Sequence, residues 1–219
     1  MFPAPDLSLS QINECANDLI NDYFKSIGES VSLPIPVEDI AEFYLGYELA
    51  YTNEGMFSDS DILGGICFKT QTIFINTSVE AHEGRHAFTI AHEIGHHCLH
   101  KQIALAVANK VMCRDNVKPT EELQADRFAA ALLMPETLML AHMKKCKLSD
   151  PYQAFQLAKN VKGELKLNNV SVSALVNRMI DLKLITGLPY QRSRPFVKMP
   201  LIKKIAYIAI LKLKAILKI

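Results

Sequence analysis

The chain reads as an α+β protein in which a small β-sheet precedes a helix carrying a His-Glu-x-x-His pentapeptide, and a mostly helical C-terminal part follows. Three observations predict this. Short strand-like runs fall at Tyr47–Tyr51, Ile62–Phe68 and Thr72–Asn76; His92-Glu93-Ile94-Gly95-His96 lies in helix-forming surroundings; and apolar residues elsewhere recur at helical spacing.

Taken in order, Leu9, Ile12, Ala16, Leu19, Ile20, Tyr23, Phe24 and Ile27 mark an amphipathic helix that Gly28 ends. Leu33-Pro34-Ile35-Pro36 breaks the chain, and Val37–Leu45 reads as a short helix closed by Gly46. The three strands follow, with Lys69-Thr70-Gln71 as a hairpin turn between the second and third. A sheet in this place can align an extended peptide through main-chain pairing, or can serve as plain scaffold. Residues 53–61 read as a surface loop, and 102–119 as a second loop or lid. Beyond Pro135, helices are expected over Thr137–Cys146, Pro151–Asn160 and Val172–Leu182, the last two only faintly like a helix-turn-helix pair.

The pentapeptide carries the chemistry. Histidines four apart project from one helical face about 6 Å apart along the axis, within reach of one metal ion. Zinc in a catalytic site commonly takes three protein ligands and lowers the pKa of water from roughly 15.7 toward roughly 7, and Glu93 is placed to take the proton. A second match, His82-Glu83-Gly84-Arg85-His86, is the weaker candidate. It contains a helix-weakening glycine and a cation that would repel a metal, and no helical run leads into it.

A third ligand is available downstream, where Glu121-Glu122-Leu123-Gln124-Ala125-Asp126 opens a strong helix with carboxylates in its first turns. Glu122 and Asp126 share a face. Glu122 could bind the metal while Asp126 accepts a hydrogen bond from the far nitrogen of a ligand histidine; equally, both could be solvated residues of an acidic helix start, and Glu121 is the fallback ligand. Six of the seven histidines lie between positions 82 and 100, so His86, His97 and His100 also come into view as transition-state donors or extra ligands, although a solvated or core-satisfied histidine is the favoured reading for each.

The run Phe88-Thr89-Ile90-Ala91 into His92-Glu93-Ile94-Gly95-His96, then Glu122-x-x-Ala125-Asp126-x-Phe128-Ala129-Ala130 and Leu132-Leu133-Met134-Pro135, resembles the ImmA/IrrE-type metallopeptidases. The resemblance spans about residues 35–135, and more weakly Val170–Ala174 with Arg178. It implies a zincin fold, one zinc ion per chain held by His92, His96 and Glu122, Glu93 as base, and cleavage of a helix-turn-helix repressor that silences mobile-element or stress genes. Position 126 is Asp where many members carry Asn; either accepts a hydrogen bond. The expected organisation is a zincin-like metallopeptidase domain over residues 1–136, a helical extension over 137–200 and a basic amphipathic tail over 201–219. The rival reading is a zinc-stabilised regulator that sequesters a repressor or antitoxin without cutting it.

Composition suits an enzyme that stays in the cytoplasm. The 219 residues are 49% hydrophobic, enough for one sizeable core, and Met1–Asp6 shows neither the basic nor the apolar stretch of a secretory signal. Five scattered cysteines, an odd number, suit reduced thiols; Cys98 beside the motif reads as a small buried residue rather than a ligand. The net charge of +1 conceals a split, since residues 1–136 hold eight Lys and Arg against twenty Asp and Glu, and residues 137–219 hold sixteen against three. The basic half could meet an anionic partner or the acidic half itself, and the acidic half would attract a basic DNA-binding protein. Arg192 and Arg194 could touch phosphates, but without aromatic interleaving or a base-reading motif direct nucleic-acid binding is not favoured. The tail from Leu201 gathers most of its lysines on one side of a helix, which suits a membrane surface or a partner groove, and equally a core or oligomer helix. It does not suit a span, because a lysine at a bilayer centre costs roughly 2.5–3.5 kcal/mol.

Overall fold

The computed structural model describes residues 6–53, 62–106, 112–113 and 119–188. The loop expected over 53–61 therefore falls almost wholly outside the described residues, as do Arg192, Arg194 and the basic tail.

Helix α1 spans Leu9–Ile27. Ser8 caps it by accepting from the Gln11 N–H, and Gly28 ends it at φ 72°, a left-handed conformation that costs glycine little. Its buried face is Ile12, Ala16, Leu19, Ile20, Tyr23 and Phe24. A short helix α2, Val37–Asp39, widens into a π-helical turn at Ile40–Tyr44, so the expected helix over Val37–Leu45 forms with its last turn loosened.

Strands β1 (Glu48–Thr52), β2 (Gly64–Cys67) and β3 (Thr72–Asn76) follow. The turn over 69–71 joins β2 and β3 antiparallel, with Gln71 at φ 51°. The order is β1-β3-β2-β4, and β1 lies parallel to β3. A parallel pair requires a crossover rather than a hairpin, a relation that alternating apolar residues do not encode.

Helix α3, Glu83–Ala106, carries the second pentapeptide at its middle. It continues five residues into the expected loop over 102–119, and within that stretch β4 (Met112–Cys113) pairs antiparallel with β2. The loop reading is corrected to that extent. Helix α4, Pro119–Leu133, packs along α3 and also against α1. Its core face is Ala125, Phe128, Ala129, Leu132 and Leu133, all fully buried.

Helix α5 covers Glu136–His142 and stops short of the expected Cys146, which instead opens β5 (Cys146–Lys147). Helices α6 (Pro151–Glu164) and α7 (Val172–Asp181) precede β6 (Ile185–Thr186), the parallel partner of β5. Arg178 anchors α7 from within the core: its Nε donates to the Met134 carbonyl and its Nη1 to Asn13 Oδ1, both at 3.0 Å. Asn13 in turn donates to Glu136 at 2.9 Å. Burial holds the guanidinium down to about 10, with Glu136 and Asp181 opposing that shift. One continuous hydrophobic cluster runs from Ile12 on α1 to Ile185 on β6. No helix among the described residues is long and apolar enough to cross a membrane.

Candidate metal centre

His92, His96 and Glu122 meet where the middle of α3 crosses the first turns of α4. One ligand atom from each lies within 4.8 Å of the others. His92 Nε2 and His96 Nε2 are 3.1 Å apart, and the Glu122 carboxylate oxygens lie 3.3 and 3.2 Å from them. Ligand atoms 2.0–2.1 Å from a shared tetrahedral centre would sit roughly 3.3 Å from one another. The Nε2–Nε2 distance and the approach of each ring to its nearer Glu122 oxygen, Oε2 for His92 and Oε1 for His96, are close to that spacing. Both histidines are 2% exposed, so the convergence of two imidazole nitrogens and a carboxylate demands a cation between them, either a proton or a metal.

The groups behind the ring nitrogens set where that cation goes. Asp126 Oδ1 lies 2.9 Å from His92 Nδ1 and accepts its hydrogen, although half of the Asp126 side chain faces solvent. Burial opposes a charge on His92, but its bonds to Asp126 and Glu122 win and raise it to about 10. His96, buried and next to a protonated His92, is pushed down to about 4. Burial also opposes the charge on Glu122, yet the two histidines hold its carboxyl well below the usual range. One proton thus serves the cluster in the absence of a metal, resident on His92, and a metal ion would displace it.

Glu93 is 4% exposed and turns toward strand β2. A Cβ built on Gly64 would stand 2.9 Å from Glu93 Oε1 and 2.6 Å from Thr89 Cγ2. Only glycine leaves this carboxylate its place. Gly95 has a comparable part between the helices, because a Cβ there would meet the Cα and carbonyl of Ala125 and the Cβ of Phe128, each at 3.2 Å. The spacing Gly95-His96 on α3 and Glu122-x-x-Ala125 on α4 therefore sets the close helix contact that brings Glu122 to the histidines. The pattern of small residues was visible in the sequence; that they face each other was not.

The other expected residues lie elsewhere. Glu121 is buried but outside the three-atom cluster. His97 points away to Tyr47, whose hydroxyl is 2.8 Å from its Nδ1. Burial lowers His97 to about 4 and pushes Tyr47 up to about 12. His100 lies behind His96. In the first pentapeptide His82 precedes α3 and is exposed, while His86 stacks on Tyr51, bonds to its hydroxyl at 2.9 Å and pairs with Glu38 at 3.1 Å. Gly84 there accommodates the backbone of Val170 and Ser171 rather than a metal. Cys15, Cys67, Cys98 and Cys146 are free thiols. A hydrogen bond with Cys15, together with burial, raises the Cys98 thiol well above its ordinary value.

Residues 38–160 match the family model described as Peptidase M78, the IrrE N-terminal-like domain. The chain belongs to this family. The match begins within α2, includes every residue of the metal cluster and ends inside α6. Membership supports a metallopeptidase-type or regulator-related role, and the α+β architecture with its sheet ahead of the His-Glu-x-x-His helix is consistent with the IrrE-like zincin fold. No curated protein matches the chain. Among solved structures, a Mycobacterium tuberculosis transcriptional regulator is similar at 16% identity and a TM-score of 0.45, over 84% of this chain and 54% of the other. The chain thus spans about half the length of that protein.

Proposed function

We propose that the chain is a zinc-dependent endopeptidase acting in the cytoplasm on a DNA-binding repressor of the helix-turn-helix type. The observation that carries the proposal is the convergence of the buried His92 and His96 with the partly buried Glu122, and of Glu93 beside His92 on the same helix. In this reading His92, His96 and Glu122 hold zinc, and Asp126 keeps His92 oriented through its Nδ1. Zinc so held supplies Lewis acidity toward water and toward a peptide carbonyl. Glu93 takes a proton from the attacking water and passes it to the departing amine, so that C–O bond formation and C–N bond cleavage leave one carboxyl and one amino terminus. The β2 strand confines Glu93 beside Gly64, which supports a fixed direction for that transfer.

The choice of substrate rests on the resemblance and on charge. Residues 1–136 carry a net charge of about minus twelve by count of acidic and basic residues, which favours encounter with a basic DNA-binding protein.

The test compares new protein N-termini in cells producing the wild type or Glu93→Gln, with and without DNA damage. The proposal expects a few termini that require Glu93, and Glu93→Gln should keep its zinc while losing roughly 100-fold or more in turnover. No Glu93-dependent termini from a folded, zinc-loaded protein would replace the peptidase with a regulator that binds its repressor without cutting it.

A further inference from the structure

The cluster assigned to zinc leaves one imidazole unexplained. His100 is 1% exposed and lies one turn beyond His96 on α3, where neither nitrogen faces the three-atom centre. Its Nδ1 is 3.0 Å from His96 Nδ1, and its Nε2 is 2.9 Å from Gln124 Oε1 on α4. Gln124 is itself 2% exposed. Three polar groups thus form a chain sealed from solvent, beginning at α4 and ending at His96.

We propose that Gln124 and His100 are positioning residues that fix the tautomer and orientation of His96, so that its Nε2 presents a lone pair to the metal. This role rests on the metal-binding reading above and follows from the direction of donation. An amide oxygen only accepts, so the Nε2 of His100 carries its hydrogen and donates to Gln124. The Nδ1 of a neutral His100 then has a lone pair and accepts from the Nδ1–H of His96. With its hydrogen on Nδ1, His96 has its lone pair on Nε2, the atom 3.1 Å from His92 Nε2 and 3.2 Å from the Glu122 carboxylate. Reversing any link would place a hydrogen on His96 Nε2 and block coordination. Helix α4 therefore supplies a ligand in Glu122 and supports both histidines, His92 directly through Asp126 and His96 through Gln124 and His100. This chain also removes His100 from the choice of a fourth ligand, since both its nitrogens are engaged away from the centre.

The test is zinc affinity of the full chain, measured by competition with a chromophoric chelator, with helical content by circular dichroism and the visible absorption of the cobalt(II)-loaded protein recorded alongside. Gln124→Leu removes the acceptor and frees the tautomer to switch, whereas Gln124→Glu keeps an acceptor in place. His100→Phe removes the link, and His100→Asn keeps an oxygen near the former Nδ1. Gln124→Leu and His100→Phe should each weaken zinc binding by roughly 10–100-fold and alter the cobalt spectrum, with Gln124→Glu and His100→Asn recovering most of the loss. Should His100→Phe fail to fold, the two Gln124 variants decide alone. Folded Gln124→Leu binding zinc within about twofold of wild type, or Gln124→Glu losing as much as Gln124→Leu, would overturn the inference. A wild-type chain that binds no zinc would instead remove the metal reading on which it stands.

Discussion

Gly95→Ala separates two effects that glycine has in a helix. The helix interior should gain about 1 kcal/mol from the better helix former. Against this, the new methyl would sit 3.2 Å from three atoms of α4, two of them backbone atoms of Ala125. Ordinary carbon contacts lie at about 3.5–4.0 Å, so α4 must recede by roughly 0.3 Å or more. Overpacking of this kind costs about 1–3 kcal/mol, which leaves the apo protein about 0–2 kcal/mol less stable. The metal centre should feel more than that, because Glu122 moves with α4 and ligand distances tolerate only about 0.2 Å. Zinc affinity is expected to fall by about tenfold or more, measured by chelator competition, while thermal unfolding of the apo protein gives the stability change. Gly163→Ala in the last turn of α6 is the control, since a Cβ there meets nothing within 4 Å and should return part of the helix-forming gain without a clash. A Gly95→Ala protein that is stabilised as much as Gly163→Ala and binds zinc at wild-type affinity would show that the helix contact does not set the ligand geometry.

Four more outcomes are expected. Gly64→Ala should lower turnover on a Glu93-dependent substrate by about tenfold or more with zinc retained, because the methyl collides with Thr89 and the Glu93 carboxylate; undiminished turnover would put Glu93 outside the chemistry. His92 stays protonated up to about 10, so zinc binding below that pH displaces a proton, and apparent affinity should rise with pH by about tenfold per unit and level off above it. Calorimetry at pH 7 in buffers of different ionisation enthalpy should show about one proton released per zinc; none released would contradict the proton shared by His92 and Glu122. Arg178→Ala should cost on the order of 2–4 kcal/mol in chemical denaturation, since it empties a buried volume and leaves the Met134 carbonyl and Asn13 without their donor.

Much of the candidate centre could be read along the chain because its signals are local. Histidines four apart share a helical face whatever surrounds them, and the arginine inside His82–His86 already spoke against that rival. The apolar period of α1, its Gly28 stop, and the three strand runs are likewise properties of neighbouring residues. Local signals fail where the partner is distant. Gln102–Ala106 has loop-like neighbours in sequence, yet it extends α3; Cys146 continues a helical pattern, yet β6 draws it into a strand.

An α+β chain with one strong His-Glu-x-x-His helix and a carboxylate pair one element downstream follows from the order of residues alone. Tertiary structure decided which groups face one another: β1 parallel to β3, His97 turned to Tyr47, His100 joined to Gln124, and Glu122 rather than Glu121 beside the histidines. The physical reason is that helical and strand periodicities assign a residue to a face, whereas the packing of α3 on α4, with Gly95 set against Ala125, fixes what that face meets.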